Sequence, residues 1–402
     1  MATSAPVDPG ATPVTDRALA PDIARGGMLL LIALANVHTW GWGHSLGVRA
    51  YPRVVEGADR WVALLQMTFV DGRAYPLFGL LFGYGVVQLS WRRGAVGLPV
   101  QAVTRLVRRR GFWMIVIGAM HGVLLWPGEI IGAYGLLAVI MAGLLVKGRD
   151  VSLIVTAAVG AFLVTVFYSA SGLTIPGDPQ AFLPSITVAD PVAAVGARAV
   201  DWLTLGFAWQ AFGVFGAVAL GAWAARRQLL DDPERHRRLL VRAAVVGLAV
   251  AVVLGLPMAL LAAQLWTSPS PGALLLAGAL HGLGGYAGGI GYAALFGLLA
   301  IRLSRRGTGP FTAAVQACGQ RSMSCYLAQS VAFAIVLPAW TLGLGEDAHL
   351  WQLALVGFGA WLVILVVAAV SARAGIRGPA EVLLRRLTYG PRPVRVSAGA
   401  AP

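Results

Sequence analysis

The stretch GAMHGVLLWPGEIIGAYG, residues 118–135, contains a short turn, WPGE, with a long apolar segment on either side. The two apolar segments cover residues 111–127 and 130–146. A helix needs roughly 17–25 apolar residues to cross a hydrocarbon core about 30 Å thick, so both segments are long enough. The same stretch carries two ionisable side chains, His121 and Glu129, which are costly in lipid. Both a membrane fold and a candidate site are therefore predicted around this turn.

Apolar segments of similar length recur along the whole chain. Hydrophobic residues make up 58% of the sequence and charged residues 12%, against roughly 25% charged residues in a soluble domain. This composition predicts an all-α, polytopic membrane helix bundle with about ten transmembrane helices. The predicted spans are residues 23–43, 73–91, 111–127, 130–146, 151–171, 200–224, 241–264, 273–301, 312–338 and 351–372.

The net charge of +14 is distributed unevenly between the gaps that separate these spans. Arginine and lysine concentrate in every second gap, as at 105–110, 226–242 and 302–306, and in both terminal segments. Since basic loops stay on the cytoplasmic side, this pattern predicts that both termini are cytoplasmic. Orientation in the membrane thus explains the charge, and we expect anionic lipid head groups rather than nucleic acid as its partner.

The spans form one membrane domain, predicted at residues 22–373. Residues 1–21 are predicted to be a disordered cytoplasmic tail, and residues 374–402 a basic cytoplasmic tail. Residues 58–71 are too short to cross and predict an interfacial or re-entrant helix. Residues 96–110 place apolar side chains at helical spacing opposite arginines, which predicts an interfacial amphipathic helix.

The common catalytic and nucleotide-binding motifs are missing from the sequence. It has no Walker loop, dinucleotide fingerprint, HExxH or G-x-S-x-G motif, and no metal-ligand spacing. We therefore expect no metal ion and no resident cofactor. The arginine-rich, lysine-poor composition is typical of a GC-rich bacterial genome, so we expect a multi-pass protein of a bacterial plasma membrane.

Several polar side chains lie within or beside the spans, where each is a functional candidate by default. A hydrogen bond to a neighbouring helix explains any single one equally well. Their positions all map to the outer half of the bilayer, however, and this shared depth predicts one polar pocket. The glycine-rich run at 282–291 predicts either close backbone packing or a distorted helix that lines a cavity. The polar residues are Asn36, Asp71, Arg73, His121, Glu129, Tyr134 and His281.

Four stretches resemble the YeiB-like membrane proteins, the family called domain of unknown function 418. They are RGGMLLLIALANV (25–37), FVDGRAYPLFGLLFGYG (69–85), GQRSMSCYLAQS (319–330) and RGPAEVLLRRLTYG (377–390). The resemblance covers nearly the whole chain, and its named domain would be the C-terminal part, about 230–395. That family is similar to a wider group of membrane acyltransferases, which pass an acyl group from cytoplasmic acyl-CoA to an acceptor on the far side with the help of a membrane histidine.

This resemblance implies a set of roles. His121 would be the general base or the acyl-carrying nucleophile, and Glu129, where the family usually has Asp, or Asp71 would orient its imidazole. Asn36 or Arg73 would stabilise the developing oxyanion. The remaining assignments are Tyr134, His281 and Arg321 to substrate binding and Arg25, Arg105 and Arg108 to the phosphates of the donor.

The ninth span departs from the family pattern. Gln320, Ser324 and Cys325 stand where Arg, Thr and Asn are common. Arg321 is a candidate for the missing charge, although on a helix it points about 100° away from Gln320.

The resulting hypothesis is a membrane O- or N-acyltransferase that moves an acyl group from acyl-CoA to a small-molecule, lipid or glycan acceptor at the outer face. The alternative is a small-solute transporter or exporter, whose polar pocket binds the solute. A non-catalytic lipid- or partner-binding protein is a third class. The acceptor, the acyl chain and the oligomeric state do not follow from the sequence.

Overall fold

The computed structural model describes residues 18–174 and 177–390, and these are almost entirely helical. Short 3₁₀ turns and one π-helix join the α-helices of the described ranges. The α-helices are α1 (Leu19–Val37), α2 (Gly57–Phe69), α3 (Ala74–Ala95), α4 (Val100–Leu124), α5 (Ile131–Lys147), α6 (Asp150–Ser169), α7 (Pro191–Asp201), α8 (Phe207–Arg226), α9 (Arg237–Ala262), α10 (Pro271–Arg306), α11 (Pro310–Gln320), α12 (Ser322–Val336), α13 (Leu350–Arg373) and α14 (Pro379–Tyr389).

Six helical stretches are long and apolar enough, by length and composition, to cross a membrane. Helices α5 and α12 are apolar but shorter. The chain is therefore an all-helical membrane protein, as predicted. The count of ten crossings and the orientation of the termini remain predictions. The six stretches are Leu19–Trp40, Asp150–Gly172, Pro191–Arg226, Arg237–Ala262, Pro271–Arg306 and Leu350–Arg373.

The amphipathic segment predicted at 96–110 is not a separate helix, because it continues without a break into the next span as α4. Its junction residue, Gly111, packs against α5: a Cβ there would lie 2.6 Å from the carbonyl oxygen of Gly135. Two turns further along α4, a Cβ at Gly118 would overlap the backbone of Gly132. Glycines on both helices thus let α4 and α5 approach closely over most of their length.

The ninth predicted span, 312–338, is broken into α11 and α12, so the prediction that Arg321 lies inside a helix is wrong. Arg321 has φ −116° and ψ 29° and separates the two helices. Its guanidinium donates to the carbonyl oxygens of Ala317 (3.0 Å) and of Ile376 (3.1 Å), beyond the end of α13. The first bond satisfies a carbonyl group that the break leaves unpaired at the end of α11, and the second ties the break to the segment after α13.

The glycine-rich run 282–291 lies in α10, which is continuous from Pro271 to Arg306. Of the two alternatives for this run, close backbone packing is the one observed. A Cβ at Gly285 would overlap the carbonyl oxygen of Gly72, and one at Gly289 would lie 2.9 Å from the backbone nitrogen of Leu77. The run thus allows α10 to contact the turn before α3 and the start of α3 itself.

The ends of the bundle differ in charge. The N-terminal parts of α1 and α4, the C-terminal part of α3 and the whole of α14 lie together, and we call this the arginine-rich end. Helix α14 lies inside the segment predicted as a C-terminal tail, and it packs on α4 and α12. The turns at 38–56, 70–73 and 125–130 form the opposite end. There α7 covers α4, with Arg198 donating from Nε to the carbonyl oxygen of Val123 (2.8 Å).

Candidate functional site

An ion network occupies the opposite end of the bundle. The Asp71 carboxylate accepts two hydrogen bonds from Arg49, at 2.9 and 2.8 Å. Arg73 is fully buried and donates to the backbone oxygens of Asp71 (2.6 Å) and Ala251 (2.8 Å). Its Nη1 also lies 3.0 Å from Nδ1 of His281. The structure thus brings three predicted site residues, Asp71, Arg73 and His281, into one network with an arginine that the sequence did not single out.

Glycines make room for this network. Gly72 has φ +76°, a left-handed conformation, and a Cβ there would lie 2.6 Å from Nε2 of His281. A Cβ at Gly255 on α9 would overlap the Arg73 guanidinium, and one at Gly288 on α10 would lie 2.5 Å from Cγ of Arg73. Arg73 therefore lies between α9 and α10 in a space that only these glycines leave.

Asp71 lies in the turn between α2 and α3 and stays ionised. Burial alone would raise the pKa of its carboxyl, but the Arg49 guanidinium, by its charge and its two hydrogen bonds, holds that pKa well below the usual range. The pair is bidentate, which is the strong arrangement for arginine and a carboxylate. Asp71 is thus committed to Arg49, and both of its side-chain oxygens are engaged.

Asn36 and Tyr134 lie on a short chain of hydrogen bonds next to the network. The Tyr75 hydroxyl donates to Oδ1 of Asn36 (2.6 Å), and the Tyr134 hydroxyl donates to the carbonyl oxygen of Tyr75 (3.4 Å). The Tyr134 ring lies between Phe78 and Phe82, with centroid distances of 5.1 and 4.9 Å. Three aromatic rings thus form one wall in the middle of the bundle.

Glu129 lies in the turn between α4 and α5 and is fully buried. Its carboxylate accepts from the backbone N–H of Gly132 (3.0 and 2.9 Å) and from Nε1 of Trp202 (3.1 Å). Burial raises the pKa of this carboxyl to about 7, against the opposing effect of these donors. Trp202 begins the π-helix Trp202–Gly206, so Glu129 ties that element to the α4–α5 turn.

His121 lies apart from both carboxylates in its interactions. The side chain is 4% exposed, and neither Nδ1 nor Nε2 has a hydrogen-bond partner in the described part of the chain. Its ring meets the Tyr326 ring edge to face, with centroids 5.4 Å apart and planes at 76°. The structure therefore shows neither Glu129 nor Asp71 orienting the imidazole.

Two indole rings extend the surroundings of His121. Trp126, five residues along, stacks on Trp40 with centroids 4.5 Å apart, and Trp40 meets Phe333 of α12 at 6.0 Å. Both indole nitrogens are buried and without a partner among the described residues. Buried polar groups are normally hydrogen-bonded, so an accumulation of unpartnered ones beside His121 is unusual.

A cavity of about 1590 Å³ runs from the arginine-rich end into the bundle. The inner part is apolar and aromatic and reaches Ile131, Tyr134 and Tyr326. Ligand pockets commonly measure about 300–1,000 Å³, so this cavity can take a ligand larger than most. Its arginines are Arg25, Arg92, Arg93, Arg110, Arg321, Arg377, Arg385 and Arg386.

Only some of the arginines predicted to bind the donor or the substrate line the cavity. Arg25 and Arg321 line it, whereas Arg105 and Arg108 are exposed and are not among its lining residues. Arg110 does line the cavity, and the sequence analysis missed it. A signal was present: Arg110, Met114 and His121 are four and seven residues apart, which places them on one face of α4.

Glu381 is a third residue that the sequence analysis did not single out, after Arg49 and Arg110. From the first turn of α14, its carboxylate accepts from the backbone N–H groups of Met323 (2.8 Å) and Ser324 (3.2 Å). It therefore caps the first turn of α12, two residues before Tyr326. The only signal in the sequence was its place in RGPAEVLLRRLTYG, one of the stretches that resemble the family.

These features define a polytopic, all-helical membrane protein with a deep cavity that opens at one end and a buried ion network at the other. Residues 224–391 match the family described as "Protein of unknown function (DUF418)". The chain is 26% identical over 395 residues to "Uncharacterized protein YeiB" of Escherichia coli (strain K12), covering 93% of this chain and 96% of that protein. It is 22% identical over 218 residues to "Uncharacterized protein YxaH" of Bacillus subtilis (strain 168), covering 48% and 53%. The resemblance to the YeiB-like, DUF418 family is confirmed.

Proposed function

We propose that this chain is an acyltransferase of the bacterial plasma membrane, which takes an acyl group from cytoplasmic acyl-CoA and passes it to a hydroxyl or amine at the outer face. One observation carries the proposal. The cavity ends at Tyr326, and the Tyr326 ring contacts His121. A long ligand that enters from the arginine-rich end would therefore bring its tip within one side chain of the imidazole.

The chemistry of the cavity fits a donor with a phosphate-bearing head and an apolar tip. Arginine is the residue of choice for phosphate recognition, since its planar guanidinium binds phosphate oxygens in pairs. The rings at the inner end, among them Phe78 and Phe82, suit a thioester and its acyl group. By the positive-inside rule, the arginine-rich end faces the cytoplasm, where acyl-CoA is made.

The length of the cavity supports the same donor. Arg110 and His121 are eleven residues apart on α4, which corresponds to about 16 Å along the helix axis. A donor that keeps its phosphates at Arg110 needs an extended arm of similar length to present a thioester near His121. The pantetheine arm of CoA is such a linker.

His121 is the base in this proposal. Both ring nitrogens are unpartnered within the described chain, so one of them is free to accept the proton of an acceptor hydroxyl or amine. The carboxylates predicted to orient the imidazole take other roles. Asp71 belongs to the Arg49 pair, and Glu129 holds the α4–α5 turn and Trp202 in place.

The test uses the full-length protein in inside-out membrane vesicles with radiolabelled acetyl-CoA on the outside. We expect label to be transferred to material on the luminal side, and His121→Ala at equal abundance to abolish the transfer. His44→Ala, at a partly exposed histidine near Asp347, is the matched control and should transfer normally. In detergent, acetyl-CoA should raise the unfolding temperature of wild type. Transfer by His121→Ala, or no protection by acetyl-CoA, would reject the proposal.

One observation favours the transporter as a second candidate. The helix break at Arg321 lies on the wall of the cavity, and transporters often build substrate sites from interrupted helices. In proteoliposomes, a transporter would couple solute entry to a flow of protons or sodium ions. Such a flux, together with an unchanged flux in His121→Ala, would favour this candidate over the enzyme.

A further inference from the structure

We propose that Tyr326 is a catalytic residue, and that its hydroxyl donates a hydrogen bond to the carbonyl oxygen of the acyl thioester as negative charge develops there. The inference rests on the proposed acyltransferase function. It adds a residue that the sequence analysis did not identify, in a role that had been given to Asn36 or Arg73.

The position of Tyr326 carries the first step. Its side chain lines the inner end of the cavity and is 2% exposed. Its ring contacts the His121 imidazole, so a group held against the Tyr326 hydroxyl lies beside the proposed base. The backbone N–H of Ile130 lies near the hydroxyl oxygen, but the O–H proton of Tyr326 has no acceptor in the described chain. A buried hydroxyl without a partner is costly, and a ligand carbonyl would relieve that cost.

The other candidates are committed elsewhere, which is the second step. Neither Asn36 nor Arg73 is among the described residues that line the cavity. Arg73 is buried between α9 and α10 with its bonds to Asp71 and Ala251. Tyr134 shares the inner end of the cavity, but its hydroxyl donates to a backbone carbonyl.

The reaction then follows in two balanced steps. The acceptor oxygen or nitrogen attacks the thioester carbonyl carbon, its proton moves to His121, and the carbonyl π-electrons move to oxygen. The Tyr326 O–H stabilises that oxyanion. When the carbonyl re-forms, the carbon–sulfur bond breaks, and the thiolate leaves and takes the proton from the His121 imidazolium. The products are the acylated acceptor and the free thiol, so no further reactant is needed.

A hydrogen-bond donor of this kind raises the reaction rate because it lies beside the base and away from water. A hydrogen bond aimed at a developing oxyanion in a buried site commonly contributes a factor of about 100 to 1,000 in kcat. The surroundings of Tyr326 match this description, because its side chain is 2% exposed and its ring contacts His121.

Tyr326→Phe tests the inference, because it removes the oxygen and keeps the ring that packs on His121. In the vesicle assay we expect kcat to fall about 100- to 1,000-fold, while KM for acetyl-CoA and the thermal protection by acetyl-CoA change little. Tyr286→Phe is the matched control, since it removes a buried tyrosine hydroxyl that already donates to a backbone carbonyl, that of Gly213 (3.3 Å), and Tyr286 is not among the described residues that line the cavity. It should keep kcat within about tenfold of wild type, the value of one ordinary hydrogen bond.

The outcomes separate the two proposals. If Tyr326→Phe keeps wild-type kcat while His121→Ala is inactive, Tyr326 has no catalytic role and the acyltransferase stands. If Tyr326→Phe loses protection by acetyl-CoA in proportion to its activity, the hydroxyl serves donor binding alone, and the catalytic role is overturned. If wild type transfers no label, both proposals fall together.

Discussion

The Glu381 carboxylate, on the last helix, accepts a hydrogen bond from the backbone N–H of Ser324, at the start of α12. The Ser324 hydroxyl also donates to this carboxylate. A negative charge at a helix N-terminus is favourable, because it meets unpaired N–H groups and the positive end of the helix dipole. Two stretches that resemble the YeiB-like family thus meet here, and they fix the beginning of the helix that carries Tyr326.

Replacing Glu381 should destabilise the fold. Glu381→Gln loses the charge and weakens the bonds to Met323 and Ser324, for which we expect a loss of about 1–3 kcal/mol in unfolding free energy. Thermal unfolding in detergent measures the change. Glu234→Gln is the control, since Glu234 pairs with Arg305 at an exposed site, where such a pair contributes about 0–1 kcal/mol. Equal shifts for the two variants would contradict a specific cap at α12.

The Asp71–Arg49 pair should also contribute strongly to stability. Asp71→Asn leaves the Arg49 guanidinium buried without a countercharge, which costs about 3–5 kcal/mol. The double variant Asp71→Asn, Arg49→Met should recover part of that loss, because it removes both charges. Asp178→Asn, in an exposed pair with Arg53, serves as control and should change the unfolding temperature little. A single variant as stable as wild type would show that the pair is dispensable.

The sequence predicts those parts of the molecule that depend on local pattern. The long apolar segments give the membrane bundle, and the positions of Asp71, Arg73 and His281 along their spans give the depth of the ion network. The sequence does not identify Arg49 as the partner of these residues, because Arg49 lies in a loop. The path of that loop and the left-handed φ of 52° at Arg49 depend on tertiary contacts. The sequence does not predict the break at Arg321 either, since Glu381 and Ile376, which stabilise it, lie more than 50 residues away.

The division of the predicted pocket into two sites has a similar cause. The shared depth of His121 and Asp71 was visible in sequence, but depth fixes only one coordinate. Which face of each helix meets which neighbour depends on close glycine contacts, such as Gly118 against Gly132 and Gly285 against Gly72. Because of those pairings, Glu129 accepts a hydrogen bond from Trp202 and Asp71 accepts one from Arg49, and neither carboxylate binds the His121 imidazole.

Gly285 should tolerate no side chain. A Cβ there would overlap the carbonyl oxygen of Gly72, and because this atom is backbone, it cannot move aside cheaply. We expect Gly285→Ala to lower the unfolding free energy by about 1–3 kcal/mol, the usual cost of overpacking. Gly272→Ala, in the first turn of the same helix with open space around it, should be neutral or slightly stabilising. Thermal unfolding of the two variants gives the comparison, and a neutral Gly285→Ala would refute the close approach of α10 to the Gly72 turn.

Glu129 should make stability depend on pH. Burial raises the pKa of its carboxyl from 4.5 to about 7, so between these values the folded protein keeps a proton that the unfolded chain releases. Stability from this group is therefore complete below pH 4.5 and falls as the pH rises towards 7. Glu129→Gln removes the titration, and its unfolding temperature relative to wild type should be higher at pH 8 than at pH 5. A difference for Glu129→Gln that does not change with pH would mean that the carboxyl is not buried as described.

Two arginines on one turn of α4 can show whether the donor binds in the cavity or on the exposed surface. Arg110 lines the cavity, whereas Arg108, two residues earlier, is exposed outside it. If the donor's phosphates bind in the cavity, Arg110→Gln should raise the Kd for acetyl-CoA about tenfold or more, since a charge-assisted hydrogen bond contributes about 1.5–3 kcal/mol and 1.4 kcal/mol is tenfold in affinity. Arg108→Gln removes the same charge from the same helix and should change Kd by less than about threefold, through long-range attraction that added salt screens. Microscale thermophoresis at low and moderate salt measures the Kd for acetyl-CoA of both variants. A larger effect at Arg108 would move the donor's phosphates from the cavity to the exposed face of α4.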